Sequence, residues 1–177
     1  MILQEIFHYF CKYPSKSAIE KFFNKSNPTP EYEEMKTKAI NDCEEIFPKI
    51  TDYIFGVNDE QVKAQISQVK DIYLFIDYGN ITSKLDRFDV KEDVMQLAVT
   101  VAKPLSSATY DQAEEILITE QLLEIMASIR RELREDRSDP FIKRLSFPND
   151  ITPFFARELS NSYGWTLMFN ITGIDMV

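Results

Sequence analysis

Over the first 25 residues, apolar side chains recur at helical spacing. Ile2, Leu3, Ile6, Phe7 and Phe10 fall on one face of a short helix, and Pro14 stops it, because a proline ring cannot continue the hydrogen-bond ladder. Ser15 is placed to cap a second short piece carrying Ala18, Ile19, Phe22 and Phe23. The run Asn27-Pro28-Thr29-Pro30 breaks the pattern. A longer helix is expected over about 31–47, with Met35, Ala39, Ile40, Cys43, Ile46 and Phe47 as its buried stripe and Pro48 at its end.

Between 48 and 70 the pattern supports two readings. Tyr53 to Val57 fits a short strand or a hydrophobic loop, and Asp59 to Lys70 fits an exposed turn or a short helix. Ile72 to Tyr78 is rich in β-branched and aromatic residues, the pattern of a strand largely covered on both faces, and Gly79-Asn80 is expected to end it in a turn. Residues 94–102 alternate: Met95, Leu97, Val99 and Val101 face one way, and Gln96, Ala98 and Thr100 the other. Thr109 and Gln112 have the spacing of a capping box, which opens a helix of about 25 residues. Its stripe is Ile118, Leu122, Ile125, Ile129 and Leu133, with Ile116, Leu123 and Met126 beside it, a face wide enough to lie on a sheet. The mixed-sign run from Arg130 to Arg137 is expected to be the solvated end of that helix. Phe141 to Phe147 fits a third strand. Trp165, Leu167, Phe169 and Ile171 alternate with polar neighbours as a last one.

This order of elements predicts an α+β fold: a small, mostly antiparallel sheet of about four strands, a long helix packed on one face, and N-terminal helices. A chain of 177 residues and 20.7 kDa is the size of one domain. Residues 1–50 would form its helical part and 70–177 its sheet-and-helix core.

Composition narrows the function more by scarcity than by abundance. The single histidine, His8, and the two cysteines, Cys11 and Cys43, are too few for a four-ligand zinc site and form no CxxC or HxxxH. His8 is expected to be an ordinary residue of a short helix rather than a catalytic base. Four glycines, none in GxGxxG or GxxxxGK spacing, leave no loop of the usual kind to cradle a phosphate. No cofactor is expected. A net charge of −9 opposes broad contact with a nucleic-acid backbone or an anionic membrane. No apolar run reaches the ~20 residues of a membrane span, and the N-terminus has neither a basic segment nor a small-residue cleavage site. The expected location is therefore the cytoplasm, with both thiols free.

Two segments stand out as candidate chemistry. Asp77, Asp86, Asp89, Glu92 and Asp93 gather acids around the turn after the first strand, as a divalent-ion site or an acid/base pair would require. Lys84, Arg87 and Lys91 are interleaved with them, and no EF-hand spacing is present, so a solvated loop is the simpler reading and no metal ligand is assigned. The second segment, 147–165, is aromatic and bounded by prolines. Phe154, Phe155, Tyr163 and Trp165 either cap the core or form a contact surface for a partner. The candidate interaction residues are thus Asp86, Arg87, Asp89, Phe154, Phe155 and Tyr163, on a loop 79–93 and a segment 148–163.

Taken with VTVAKPL at 99–105, the capped helix that follows and YGWTLMFNI at 163–171, the element order resembles the tail terminators and head–tail connection proteins of tailed phages and prophages. The resemblance covers roughly residues 70–177. It implies helices on one side of a small antiparallel sheet, ring assembly onto a tail tube or connector, and no catalytic residue. The three helical pieces before residue 50 exceed the single leading helix of that pattern. The expected function is therefore a non-enzymatic structural or assembly protein with protein partners, in the host cytoplasm during assembly. The alternatives are an acidic binding module of immunity or antitoxin type, which the charge favours, and a metal-dependent hydrolase using the acidic turn.

Overall fold

The computed structural model describes residues 2–57, 59–85, 91–105, 110–136, 138–146 and 150–173. Three helices lead: α1 (Ile2–Phe10), α2 (Lys16–Phe22) and α3 (Pro30–Asp42). Ser15 caps α2 by accepting from the Ala18 amide at 3.2 Å. Thr29 caps α3, with Pro30 at the first helical position, where its missing N–H costs nothing.

The third helix stops at Asp42, five residues short of the expected end. The apolar spacing does continue through Ile46 and Phe47, but their amides donate to the carbonyls of Lys12 and Tyr13, at 3.1 and 2.8 Å, instead of to a helical ladder. Glu45 turns the chain with φ of 51°. Of the expected stripe only Ala39 is fully buried, and the other members are half-buried against the core.

The sheet has five strands: β1 (Asp52–Gly56), β2 (Tyr73–Leu85), β3 (Lys91–Pro104), β4 (Asp150–Ala156) and β5 (Ser162–Gly173), in the order β1-β2-β3-β5-β4. Residues 52–56 are thus a strand, paired parallel to β2 through α4 (Glu60–Ile66). All other pairs are antiparallel. Asp59 caps α4 by accepting from the Gln61 and Val62 amides at 2.9 and 3.1 Å.

Gly79-Asn80 does not end β2. Tyr78 pairs with Leu97 and Ile81 with Met95, so two residues stand opposite Gln96 alone. That is a β-bulge. Beyond it β2 continues to Leu85 and β3 begins at Lys91, so most of the expected loop 79–93 is a strand-paired arm. Residues 79–83 of the arm are exposed on both faces.

The long helix α5 spans Gln112–Glu135. Its capping box is built two residues later than the spacing suggested. Asp111 Oδ1 accepts from the Glu114 amide at 2.9 Å and Glu114 Oε2 from the Asp111 amide at 3.3 Å. Gln112 is the first helical residue, and Thr109 lies outside the described residues. The expected strand at 141–147 is instead a 3-10 turn at Ile142–Arg144. Asp139 starts that turn: its side chain accepts from the Phe141 amide at 2.7 Å and its carbonyl from the Lys143 amide at 3.2 Å. The segment then touches the edge of β5 without forming a strand: Leu145 makes an isolated bridge to Ile171, and the Ser146 amide donates to the Asn170 carbonyl at 2.9 Å. The fifth strand comes from 150–156, inside the aromatic, proline-bounded segment for which no strand is expected.

The core sits between the sheet and the helices α1 and α5. Leu74, Ile76, Met95, Leu97, Val99, Val101, Leu167, Phe169 and Ile171 meet Leu122, Met126, Ile129 and Leu133 there. Phe7 gathers the rings of Phe22, Phe23, Tyr53 and Phe55 at centroid distances from 4.8 to 5.9 Å. Such pairs add about 0.5–1.5 kcal/mol each beyond area burial. Tyr53 also donates its hydroxyl to the Phe7 carbonyl at 3.0 Å, which ties β1 to α1. A second cluster covers the opposite face at one end of the sheet, where Val62 and Ile66 of α4 and Leu159 pack on Ile54, Tyr73, Phe75 and Ala102. β2 is therefore buried on both faces from Ile72 to Ile76, as its unbroken apolar run predicts.

Candidate interaction surface

Strand pairing brings two of the expected residues together. Phe155 of β4 stands opposite Tyr163 of β5, and their ring centroids are 4.6 Å apart. Phe155 is 50% exposed, so half of a large aromatic side chain faces solvent. The Arg157 guanidinium lies 6.0 Å from the Phe155 ring centroid, within reach of a weak cation–π attraction. Phe154 goes to the other face and packs against the second cluster, because consecutive strand residues point to opposite sides.

Trp165 continues the aromatic face beneath α5. Its Nε1–H donates to the Thr119 carbonyl at 3.0 Å, which fixes the indole against the helix. Thr119 in turn donates its hydroxyl to the Glu115 carbonyl at 2.7 Å. Between α5 and β5 lies a hollow of about 620 Å³, bordered by Ile116, Thr119, Leu123, Tyr163 and Trp165. Ile116 and Leu117 are 66% and 65% exposed on the same turn of α5. Ile116 was expected beside the buried stripe, but α5 buries its apolar face only from Leu122 onward. Single exposed apolar residues are ordinary; here Ile116 borders the hollow and Leu117 lies beside it in sequence.

The acidic turn does not assemble into one site among the described residues. Asp77 pairs with Ala98, and Asp93 pairs with Ser83, whose hydroxyl donates to it at 2.6 Å. Those two positions lie five residues apart along β3, roughly 17 Å at strand rise. Asp86, Arg87 and Asp89 lie outside the described residues. No group of three or more His, Cys, Asp or Glu side chains among the described residues is arranged to hold a metal ion.

A polar network that no local pattern announced joins segments more than 120 residues apart in sequence. Lys12 Nζ lies 2.9 Å from Asp136 Oδ2 and donates to Tyr9 Oη at 3.2 Å, while Tyr9 donates to Asp136 at 3.1 Å. The hydrogen bond from Lys12 holds the Asp136 carboxyl below its usual range, and burial pushes the Tyr9 hydroxyl up. Each polar group in this trio is spent on the others, so the network pins α1 to the end of α5. Nearby, His8 Nδ1 sits 3.4 Å from Asp42. Burial, then the Lys38 charge, pushes the imidazole down, with Asp42 pulling weakly the other way. Cys11 is buried and Cys43 half-buried, both as free thiols, with burial raising each.

No family profile, curated protein or solved structure matches the chain. No helix among the described residues is long and apolar enough to cross a membrane.

Proposed function

We propose that this chain is a non-enzymatic assembly subunit of a phage or prophage, of the tail terminator or head–tail connection kind, that joins copies of itself and a tail tube or connector in the host cytoplasm. The observation that carries the reading is the half-exposed Phe155–Tyr163 pair beside the hollow at Ile116, an aromatic and apolar patch rimmed by Gln112, Glu115 and Glu120. Its geometry suits a ring. A cyclic interface is heterologous and needs two different patches on each subunit. Tyr163 pairs with Lys103 near one end of β3, and the exposed arm pairs at Asp93 near the other. Ten residues of strand separate them, roughly 34 Å. One subunit would thus offer the arm where its neighbour offers the aromatic surface.

The test mixes the protein with tail tubes or connectors from its own genome and examines them by electron microscopy. Density added at one end of the tube, lost in the double variant Ile116→Asp, Phe155→Asp, is the expected result. Tubes and connectors that stay bare, together with a chain that forms no oligomer on them, refute the reading. The net charge of −9 favours the second reading, an acidic module of immunity type masking a basic partner. An adjacent toxin gene, and tight binding of its product that weakens with added salt, would favour that reading over assembly.

A further inference from the structure

The sheet has two outer strands, and the chain treats them differently. β4 carries Pro153 in its middle, which removes a ladder donor and blunts the edge. β1, Asp-Tyr-Ile-Phe-Gly, has no proline, and its outer side pairs with no strand among the described residues. The Thr51 amide donates to the Ile72 carbonyl at 2.9 Å. Because β1 is an edge strand, every second one of its amides and carbonyls faces the open side.

A helical wall stands over this edge on each face of the sheet. On one side are Lys21 and Phe22 of α2, then Lys25, with Tyr32 of α3 behind them; on the other are Gln61 and Gln65 of α4 with Gln68 after it. Between the walls runs a slot of about 770 Å³ whose floor is Asp52 to Phe55. The walls decide what can enter. The edge of another folded sheet would strike the helices before its backbone reached β1, whereas a single extended segment fits between them. The five residues of β1 give such a segment about 17 Å of ladder.

Charge decides what the segment carries. Lys21 lies 3.5 Å from Asp52 and donates to the Thr51 carbonyl at 3.1 Å, so that pair is internally balanced. Lys25 is exposed and makes no ion pair with a described carboxylate; its Nζ stands 6.0 Å from the Tyr32 ring centroid. One wall thus holds an uncompensated positive charge on a protein of net charge −9, and the other presents three neutral amides. We propose that the open edge of β1 receives an extended peptide segment as an added strand, with carboxylate side chains turned toward Lys25 and small or polar ones toward the α4 glutamines. The slot lies at the sheet edge opposite Phe155 and Tyr163, and this inference does not rest on the assembly reading.

The test follows backbone amide shifts of the full chain by NMR while a blocked seven-residue peptide of alternating glutamate and threonine is added. Saturable shifts centred on the amides of residues 52–56 are expected. The peptide with lysine replacing glutamate should bind about fivefold more weakly, as one exposed ion pair allows. A central proline should abolish binding, and Lys25→Glu, at an exposed position, should reverse the preference between the two peptides. Equal affinity for the two peptides, shifts centred elsewhere, or no saturation at millimolar peptide overturns the proposal. So do concentration-dependent shifts at residues 52–56 without peptide, which would mean that a second copy fills the slot.

Discussion

Gly164 sits in β5 opposite Ala102 of β3, with no room for a side chain. A Cβ at this position would lie 2.0 Å from the Val101 carbonyl oxygen and 2.6 Å from the Ala102 Cα. Both are backbone atoms of a central strand, so no side chain can swing away to make room. A carbon keeps about 3.3 Å from a carbonyl oxygen even in close strand contacts, so Gly164→Ala must part the strands by more than about 1 Å. Overpacking of this kind costs about 1–3 kcal/mol, with the upper end expected when the backbone itself must move. One weakened ladder bond adds about 1 kcal/mol, and alanine returns about 0.5–1 kcal/mol of the entropy that glycine loses. The net expectation is a loss of about 3 kcal/mol. In urea, with a slope near 2 kcal/mol per molar, the unfolding midpoint should fall by about 1.5 M. Gly79→Ala is the matched control. Its nearest neighbour would be Gln96 Cβ at 3.2 Å on an exposed bulge, and its effect should stay within about 0.5 kcal/mol. A Gly164→Ala midpoint within about 0.3 M of the parent would refute the close approach of β3 and β5.

The buried hydroxyls of Thr100 and Thr166 lie 2.7 Å apart. Either threonine changed alone to valine should cost about 1–3 kcal/mol by orphaning the other, while the double change should be nearly neutral; additive losses in a denaturation cycle would contradict this. For His8, the folded chain resists protonation while the unfolded chain takes a proton near pH 6.5. Stability should therefore fall as pH drops below about 6.5 toward the depressed folded value, and His8→Gln should flatten that part of the profile. Midpoints measured at pH 7.5 and 5.5 check this, and an equally steep profile in the variant would sink it. In the native protein a thiol reagent should modify Cys43 well before Cys11. In denaturant both should react without prior reduction, and two silent thiols would mean a bridge.

What the sequence made legible follows from how each element is covered. β3 and β5 alternate because one face of each lies on the core, and β2 begins as an unbroken apolar run because both its faces are covered. β4 gave no such signal: it is an edge strand with Pro153 inside it, and most of its side chains are exposed or half-buried. Helical spacing runs past the end of α3 because Ile46 and Phe47 keep it while their amides are claimed by Lys12 and Tyr13, far away in sequence. Distance in sequence also hid the Lys12–Asp136 contact and the parallel partnership of β1 with β2. Of the aromatic candidates, Phe155 and Tyr163 meet because strands pair them. Phe154 parts from them for the same reason, since the pleat sends neighbours to opposite faces.

The strand order also sets a timetable for synthesis. β3 is complete at Pro104, but the strand that covers its second edge begins only at Ser162. At about 5–20 residues per second, the intervening stretch of about 60 residues keeps a ribosome busy for several seconds. During that interval β2 and β3 can form a hairpin, with the far edge of β3 bare and with Val99 and Val101, fully buried in the finished protein, lacking most of their cover. α5 emerges first, yet it lies across the face of the sheet and leaves the edge open. Nascent chains crowded on one message would therefore meet one another through the edge of β3, and a product cut short before Ser162 would carry that unpaired edge permanently.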